Sequence, residues 1–335
     1  MIYYRVIALL FLSLSVSCSS VSSYKIINKE GFEEGQEIKE QSKFLVSSMA
    51  NASRKLHDIA WPIMISNLDS CQNSKINAFG LMIAHLEDIP SSLASSFYAA
   101  SPINSLINSK ADLPMIVSVA KDSPADRAKI IEGDLIISIN NSIVSYKNYK
   151  RLLDDAAIKG SLKIRIKRLE EKITYELESE LICGYPVQAM ISPIPNAYAD
   201  GSKIYITIAT LDFVKDDQEI AFLIAHELAH NIHHFKGEAL YESQGNPLAI
   251  EEKPSLQKIT DLLIFQTEEK ETEADLYGVE FAIKAGIAQD KVANYFRRLT
   301  IYMPQLMKNS FFRMHPGNAK RVADIERKLK ELNSN

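Results

Sequence analysis

The sequence predicts an α+β fold: a mostly helical C-terminal region with a short sheet, preceded by a small β-rich region. Three observations carry this expectation. Between Leu113 and Ser179, short apolar runs recur at strand spacing. After Asp216, apolar residues recur at helical spacing: Ile220, Leu223, Ile224, Leu228 and Ile232. The 335 residues, 46% hydrophobic and 24% charged, have an ordinary globular balance and are too many for one small module. That balance excludes a disordered or collagen-like chain. Thirty-eight basic residues against forty-two acidic ones give a formal net charge of −4. No global field is left to hold a polyanion, so nucleic acid is not an expected partner.

Met1–Cys18 comes first. Arg5 is its only charge, and Val6–Val16 is apolar apart from two serines. This run is too short to span a bilayer but fits the core of a secretory signal. It ends Ser15-Val16-Ser17-Cys18, which resembles a bacterial lipobox, with Ser15 where the pattern prefers Leu. That resemblance implies lipidation of Cys18, a periplasmic location and a membrane partner reached through the lipid. With Ser19 next, bacterial sorting rules imply the outer membrane. A plain secreted protein and an uncleaved anchor are the alternatives. Residues 19–43, rich in Ser, Lys and Glu without apolar periodicity, read as a tether. Residues 44–112 read as an N-terminal helical segment. Leu45, Met49, Leu56, Ile59 and Ile63 recur at helical spacing, followed by an ambiguous Ser- and Pro-containing stretch from Ile76. The cysteines are Cys18, Cys71 and Cys183. Lipidation of Cys18 leaves Cys71 and Cys183 as an even pair in an oxidising compartment. A bridge between them would contribute about 4–5 kcal/mol in the chain-entropy model. Two buried, inert thiols are the alternative.

Residues 113–179 form the β-rich region. Met115–Val119, Leu135–Ile139, Leu162–Leu169 and Lys172–Leu177 read as strands, Asn140-Asn141 and Glu170-Glu171 as turns, and Lys147–Ala157 as a helix. Ser123-Pro124-Ala125-Asp126-Arg127-Ala128, then Glu132-Gly133-Asp134 before a strand, resembles a bacterial PDZ domain. The family usually has Ala-Gly-Leu where this chain has Ala128-Lys129-Ile130, and no glycine-based carboxylate-binding loop is evident. The resemblance implies a domain that takes a C-terminal or extended peptide as an added strand. A PDZ-shaped spacer is the alternative.

In residues 180–335, Lys203–Ile208 alternates like a strand, and Asp216 with Glu219 reads as a capping box opening a helix. That helix carries His226-Glu227-Leu228-Ala229-His230. Residues i and i+4 share a helix face, so two imidazoles there can reach one metal at about 2.0–2.1 Å. Glu227 points to a different side and suits a general base. A catalytic zinc needs a third protein ligand, and the best candidate is Glu271 in Glu271-Thr272-Glu273-Ala274-Asp275. Asp275, one turn on, can accept the N–H of a liganding histidine and fix its tautomer. Glu273 lies on another face and reads as solvent-exposed. His233 and His234 read as polar residues of a second face, and His57 and His85 have no partner motif. Lys236–Gln266, with Gly237, Gly245, Pro247 and Pro254, is a long loop of the kind that can gate a cleft.

His226-Glu227-x-x-His230, Glu271-x-x-Ala274-Asp275 and His315-Pro316 with Arg321 together resemble the gluzincin metallopeptidases that include HtpX, BepA and the CAAX prenyl protease. Cys183-Gly184-Tyr185-Pro186-Val187 and Asn196-Ala197-Tyr198-Ala199-Asp200-Gly201 also match. The resemblance implies a zincin-type peptidase domain with one Zn²⁺ per chain held by His226, His230 and Glu271. It makes Glu227 the base that activates the attacking water and Asp275 the partner of a liganding histidine. His315 either stabilises the oxyanion or caps the metal in a latent form. Asn196–Ala199 becomes an edge strand beside the cleft, and Arg321 an ion-pair anchor for the last helix. The implied activity is zinc-dependent endopeptidase action on misfolded or extended cell-envelope polypeptides. The alternative is a binding or chaperone-like lipoprotein with a latent zinc site and an active PDZ region.

Overall fold

The computed structural model describes residues 32–72, 74–103, 112–235, 245–250, 267–302 and 319–334. The fold is α+β, with a β-rich region and a largely helical one. The chain divides into units Met1–Ile38 and Lys39–Asn335. The first contributes only the start of helix α1 (Phe32–Ser66) to the described residues. Among the described residues no helix is long and apolar enough to cross a membrane.

Helix α1 departs from expectation by opening inside the segment 19–43, which the sequence assigns to a tether. Its packed part buries Val46, Met49, Leu56, Ala60 and Ile63 on one face. Once that part is nucleated, each preceding residue adds a helical bond at little cost, and Glu33, Glu34, Glu37 and Lys39 are good helix formers. Two acidic residues in the first turn also suit the positive helix end.

The β-rich region is built on an antiparallel sheet in the order β2 (Leu81–Ala84), β3 (Met115–Val119), β4 (Leu135–Ile139), β6 (Ser161–Arg168) and β7 (Glu171–Glu178). β5 (Ser142–Ile143) pairs with β4 through a two-residue turn. Asn140 and Asn141 have φ of 46° and 66°, the left-handed pair that such a turn requires. β6 turns Leu162, Ile164 and Ile166 inward and Ser161, Lys163 and Arg165 outward. Helix α2 (Pro124–Arg127) is capped by Ser123, whose Oγ accepts from the Asp126 N–H at 3.3 Å. Helix α3 (Tyr149–Lys159) closes the core with Leu152, Leu153 and Ala156, and ends at Gly160.

Two sequence expectations change here. The sheet starts before residue 113, because β2 belongs to it and Phe79, Leu81 and Ile83 share its core with Ile116, Ile136 and Ile164. The glycine turn missing from the sequence reading is Gly80, which precedes β2 with φ of 76°. A Cβ there would lie 2.1 Å from the Ser123 Cβ, so only glycine fits. Two 3₁₀ turns, Leu86–Asp88 and Ser91–Ala100, stand between β2 and β3 and hide the pairing from a local reading. Lys129 takes the left-handed conformation itself, with φ of 65°. The turn is kept by the Ile130 N–H donating to the Ala125 carbonyl at 3.1 Å.

The helical region opens with β8 (Glu180–Cys183), antiparallel to β1 (Lys75–Ala78). A disulfide joins Cys71 to Cys183 across 112 residues of sequence, tying the turn after α1 to β8. A second sheet runs β10 (Ala197–Ala199), β11 (Ile204–Thr207), β9 (Val187–Met190), with β10 antiparallel and β9 parallel to the middle strand. Then follow α4 (Ile208–Phe213), α5 (Asp217–Ala229) with a π-helical turn His230–His234, α6 (Glu268–Lys284), α7 (Val292–Tyr302) and α8 (Ala319–Asn333). Every residue from Glu219 to Ala229 is buried. Helix α5 is therefore the central rod of the region, packed by β10, β11, α6 and α7.

A candidate metal centre between two helices

Helix α5 is capped by Asp216, whose side chain accepts from the Gln218 N–H at 3.0 Å. The expected return bond from Glu219 to the Asp216 N–H is displaced by one residue. The Glu219 carboxylate accepts instead from the Lys215 N–H at 3.2 Å and pairs with Arg298 of α7. Helix α6 is capped by Thr267 and ends in a left-handed Gly286. There the Gly286 N–H donates to the Ile283 carbonyl and the Ile287 N–H to Ala282, a Schellman closure. Both helices are thus pinned at the ends that matter for what they carry between them.

Glu271, Ala274, Asp275 and Gly278 line one face of α6, at i, i+3, i+4 and i+7, and all are buried. Gly278 lets the helices approach closely: a Cβ there would sit 3.1 Å from the backbone N and Cα of His226. This closeness carries the short Glu271 side chain to the imidazoles. His226 Nε2 and His230 Nε2 lie 3.1 Å apart. Glu271 Oε2 is 3.5 Å from His226 Nε2, and Oε1 is 3.4 Å from His230 Nε2. Three donors at about 2.0–2.1 Å from one tetrahedral ion would be separated by about 3.3–3.4 Å, so the cluster fits a metal of that size. All three side chains are buried, as is Glu227.

The charges point the same way. Glu227, Glu271 and Asp275 are buried carboxylates, and two of them, Asp275 and Glu271, face a buried guanidinium, Arg321. Arg321 makes a fork on Asp275, Nε to Oδ2 at 2.6 Å and Nη2 to Oδ1 at 2.5 Å, and its Nη1 is 3.3 Å from Glu271. Burial by itself would raise the Asp275 pKa, but the Arg321 charge and hydrogen bonds hold it below the usual carboxylate range. Burial would likewise lower that of His226. Asp275, 3.0 Å from Nδ1, together with Glu271 and Glu227, overcomes this and lifts it to about 10. The carboxylates around His226 thus favour positive charge at this point. Two imidazoles and a carboxylate, with a further carboxylate beside them, are the donor set of a catalytic zinc site.

The structure thus brings together His226, His230, Glu271, Glu227, Asp275 and Arg321, all named from the sequence. His315 and Cys18 lie outside the described residues, as does most of Lys236–Gln266. Of that loop, residues 245–250 are described, and Ser53 Oγ donates to the Pro247 carbonyl at 2.7 Å. His234 departs from expectation. It does not belong to a solvated second face: its side chain is 4% exposed and its Nδ1 is 2.8 Å from His230 Nδ1. Its Nε2 is 3.0 Å from Glu273 Oε2. Glu273 is half exposed but not idle. The signal in the sequence was the run of three histidines within five residues, His230, His233 and His234; His233 stacks on Tyr277 instead. Asn231 was also missed. It is buried, accepts from the Gly201 N–H at 2.8 Å and donates to the Lys203 carbonyl at 3.1 Å. This straps the β10–β11 turn to the end of α5 and sets β10, an edge strand, against that helix. A separate cleft of about 510 Å³, including its open mouth, lies elsewhere, lined by His57, Trp61, Gly80, Leu81 and Tyr185 among others.

Comparison with known proteins gives two family matches. The family model for a PDZ domain matches residues 115–168. No curated protein matches the chain. Among solved structures, the HtrA-type protease AlgW with a decapeptide is similar at 21% identity and a TM-score of 0.25, over 32% of this chain and 30% of that one. The chain therefore spans under a third of the length of that relative. The HtrA3 PDZ domain bound to a phage-derived ligand is similar at 18% identity and a TM-score of 0.24, over 33% of this chain and 91% of that one. The family model for peptidase family M48 matches residues 159–252 and 251–329, together just over half of the sequence, and so takes in both α5 and α6. The chain belongs to peptidase family M48 and carries a PDZ domain.

Proposed function

We propose that this peptidase is a zinc-dependent endopeptidase acting on extended or misfolded polypeptides of the bacterial cell envelope. The observation that carries the reading is the convergence of His226 Nε2, His230 Nε2 and the Glu271 carboxylate beside buried Glu227. His226, His230 and Glu271 would hold the ion. When bound, Zn²⁺ supplies a Lewis acid that polarises a carbonyl and brings the pKa of water to about 7. Glu227 takes the proton of the attacking water and passes it to the nitrogen of the leaving amine. Asp275 faces the Nδ1–H of His226 and so keeps the Nε2 lone pair turned to the ion. Arg321 keeps Asp275 ionised in that task. The edge position of β10 in its sheet supports added-strand pairing with an extended substrate, which would fix the scissile bond.

The PDZ domain would engage a C-terminal or extended peptide along β2, which follows the Gly80 turn at the end of its sheet. The lipobox-like Ser15–Cys18 and Ser19 support lipid tethering of Cys18 to the outer membrane on the periplasmic side.

Metal analysis and cleavage of an unfolded protein test the reading together. The expected result is one zinc per chain, cleavage abolished by chelator, and a drop of about 10²–10⁴-fold in Glu227→Gln with zinc retained. Undiminished cleavage by that variant rejects the mechanism.

A further inference from the structure

We propose that His234 and Glu273 are positioning residues for His230, fixing the tautomer and aim of this ligand through an imidazole relay. The proposal rests on the reading of His226, His230 and Glu271 as the zinc ligands.

The two histidines of the cluster solve one problem differently. Each must turn a lone pair at Nε2 toward the ion and therefore carry its proton on Nδ1. For His226, the Nδ1 partner is a carboxylate, Asp275, at 3.0 Å. For His230, the neighbour at Nδ1 is another imidazole. Its Nδ1 meets His234 Nδ1 at 2.8 Å, and His234 Nε2 meets Glu273 Oε2 at 3.0 Å. Only one proton arrangement satisfies this chain with all groups in their ordinary charge states. His230 Nδ1–H donates to the lone pair on His234 Nδ1. His234, protonated on Nε2, donates to the Glu273 carboxylate, which can only accept. The surface carboxylate thus dictates the tautomer of a buried ligand two bonds away. Reversing His234 would set two N–H groups against each other at 2.8 Å.

The backbone supports this placement. His230–His234 is a π-helical turn following α5, closed by the Phe235 N–H donating to the His230 carbonyl at 3.2 Å. Such turns are rare and frequently occur at functional sites. The His234 ring is 4% exposed, although it sits at the end of its helix, while Glu273 is 51% exposed. The relay therefore reaches from solvent to the cluster along one line of hydrogen bonds.

Zinc affinity of the metal-free protein, measured by competition with a chromophoric chelator, tests this without reference to cleavage. His234→Phe, which keeps the ring but removes the acceptor, is expected to bind zinc about 10–100-fold more weakly. His234→Asn places an amide oxygen where Nδ1 was and is expected to recover most of that loss. Glu273→Gln, at a half-exposed site that does not endanger folding, is expected to weaken binding several-fold in the wild-type background and not at all beside His234→Asn. Wild-type affinity in His234→Phe, or no recovery in His234→Asn, overturns the relay. Absence of stoichiometric zinc in the unaltered protein overturns the metal site itself, a result distinct from either.

Discussion

The PDZ domain and the peptidase region bury different things. The first folds around Ile116, Ile136, Ile164, Leu81 and Leu153, with Asp134 as a buried acid answered by the Arg168 fork. The second encloses Glu219, His226, Glu227, His230, Asn231, Glu271, Asp275 and Arg321. An apolar core gains free energy roughly in proportion to area, so its parts are individually replaceable. A buried charged cluster is stable only when its members are all present, because each one removed strands another in low dielectric. The contrast divides the molecule into a tolerant scaffold and a brittle site.

The sharpest way to break that contrast is Arg321→Met, which strands Asp275 and Glu271. Denaturant unfolding of the metal-free protein should show a loss of about 3–5 kcal/mol. A loss below that of an ordinary surface change would mean the cluster is not collective. The pH response comes next. His226 has its pKa raised to about 10 in the metal-free fold, against about 6.5 when unfolded. Its contribution to stability is therefore complete below about pH 6.5 and is lost as pH rises through about 10. Zinc must displace that proton, so apparent zinc affinity should rise about tenfold per pH unit over the same window. Flat affinity across that window would contradict the proton-for-metal exchange.

Gly278→Ala is a smaller probe of the same interface. Alanine favours the helix by about 1 kcal/mol, but its Cβ would press on the His226 backbone at 3.1 Å. A net loss of about 1–3 kcal/mol is expected, with weaker zinc binding, both by calorimetry. Stabilisation would show that α5 and α6 can part freely. The smallest effect belongs to the PDZ domain. Lys129 is exposed and left-handed, so Lys129→Gly should stabilise by about 1 kcal/mol in thermal unfolding, while Lys129→Ala should not.

The candidate donor cluster was legible because it is local: His226 and His230 are one helical turn apart, as are Glu271 and Asp275, and helical period alone places each pair on one face. Strands of the PDZ domain were legible for the same reason: the apolar run Met115–Val119 and the alternation in Ser161–Arg168 are both properties of adjacent residues. Tertiary structure decided whatever depended on meetings far apart in sequence. Leu81–Ala84 joins a sheet whose next strand begins at Met115, and Gly80 is required both by its left-handed φ and by Ser123, 43 residues on, lying against it. Asn231 reaches back to Gly201, and His234 becomes useful only when α6 brings Glu273 to it. Periodicity along a chain reports which face a side chain occupies. What that face meets is set by packing, and packing is a matter of three dimensions.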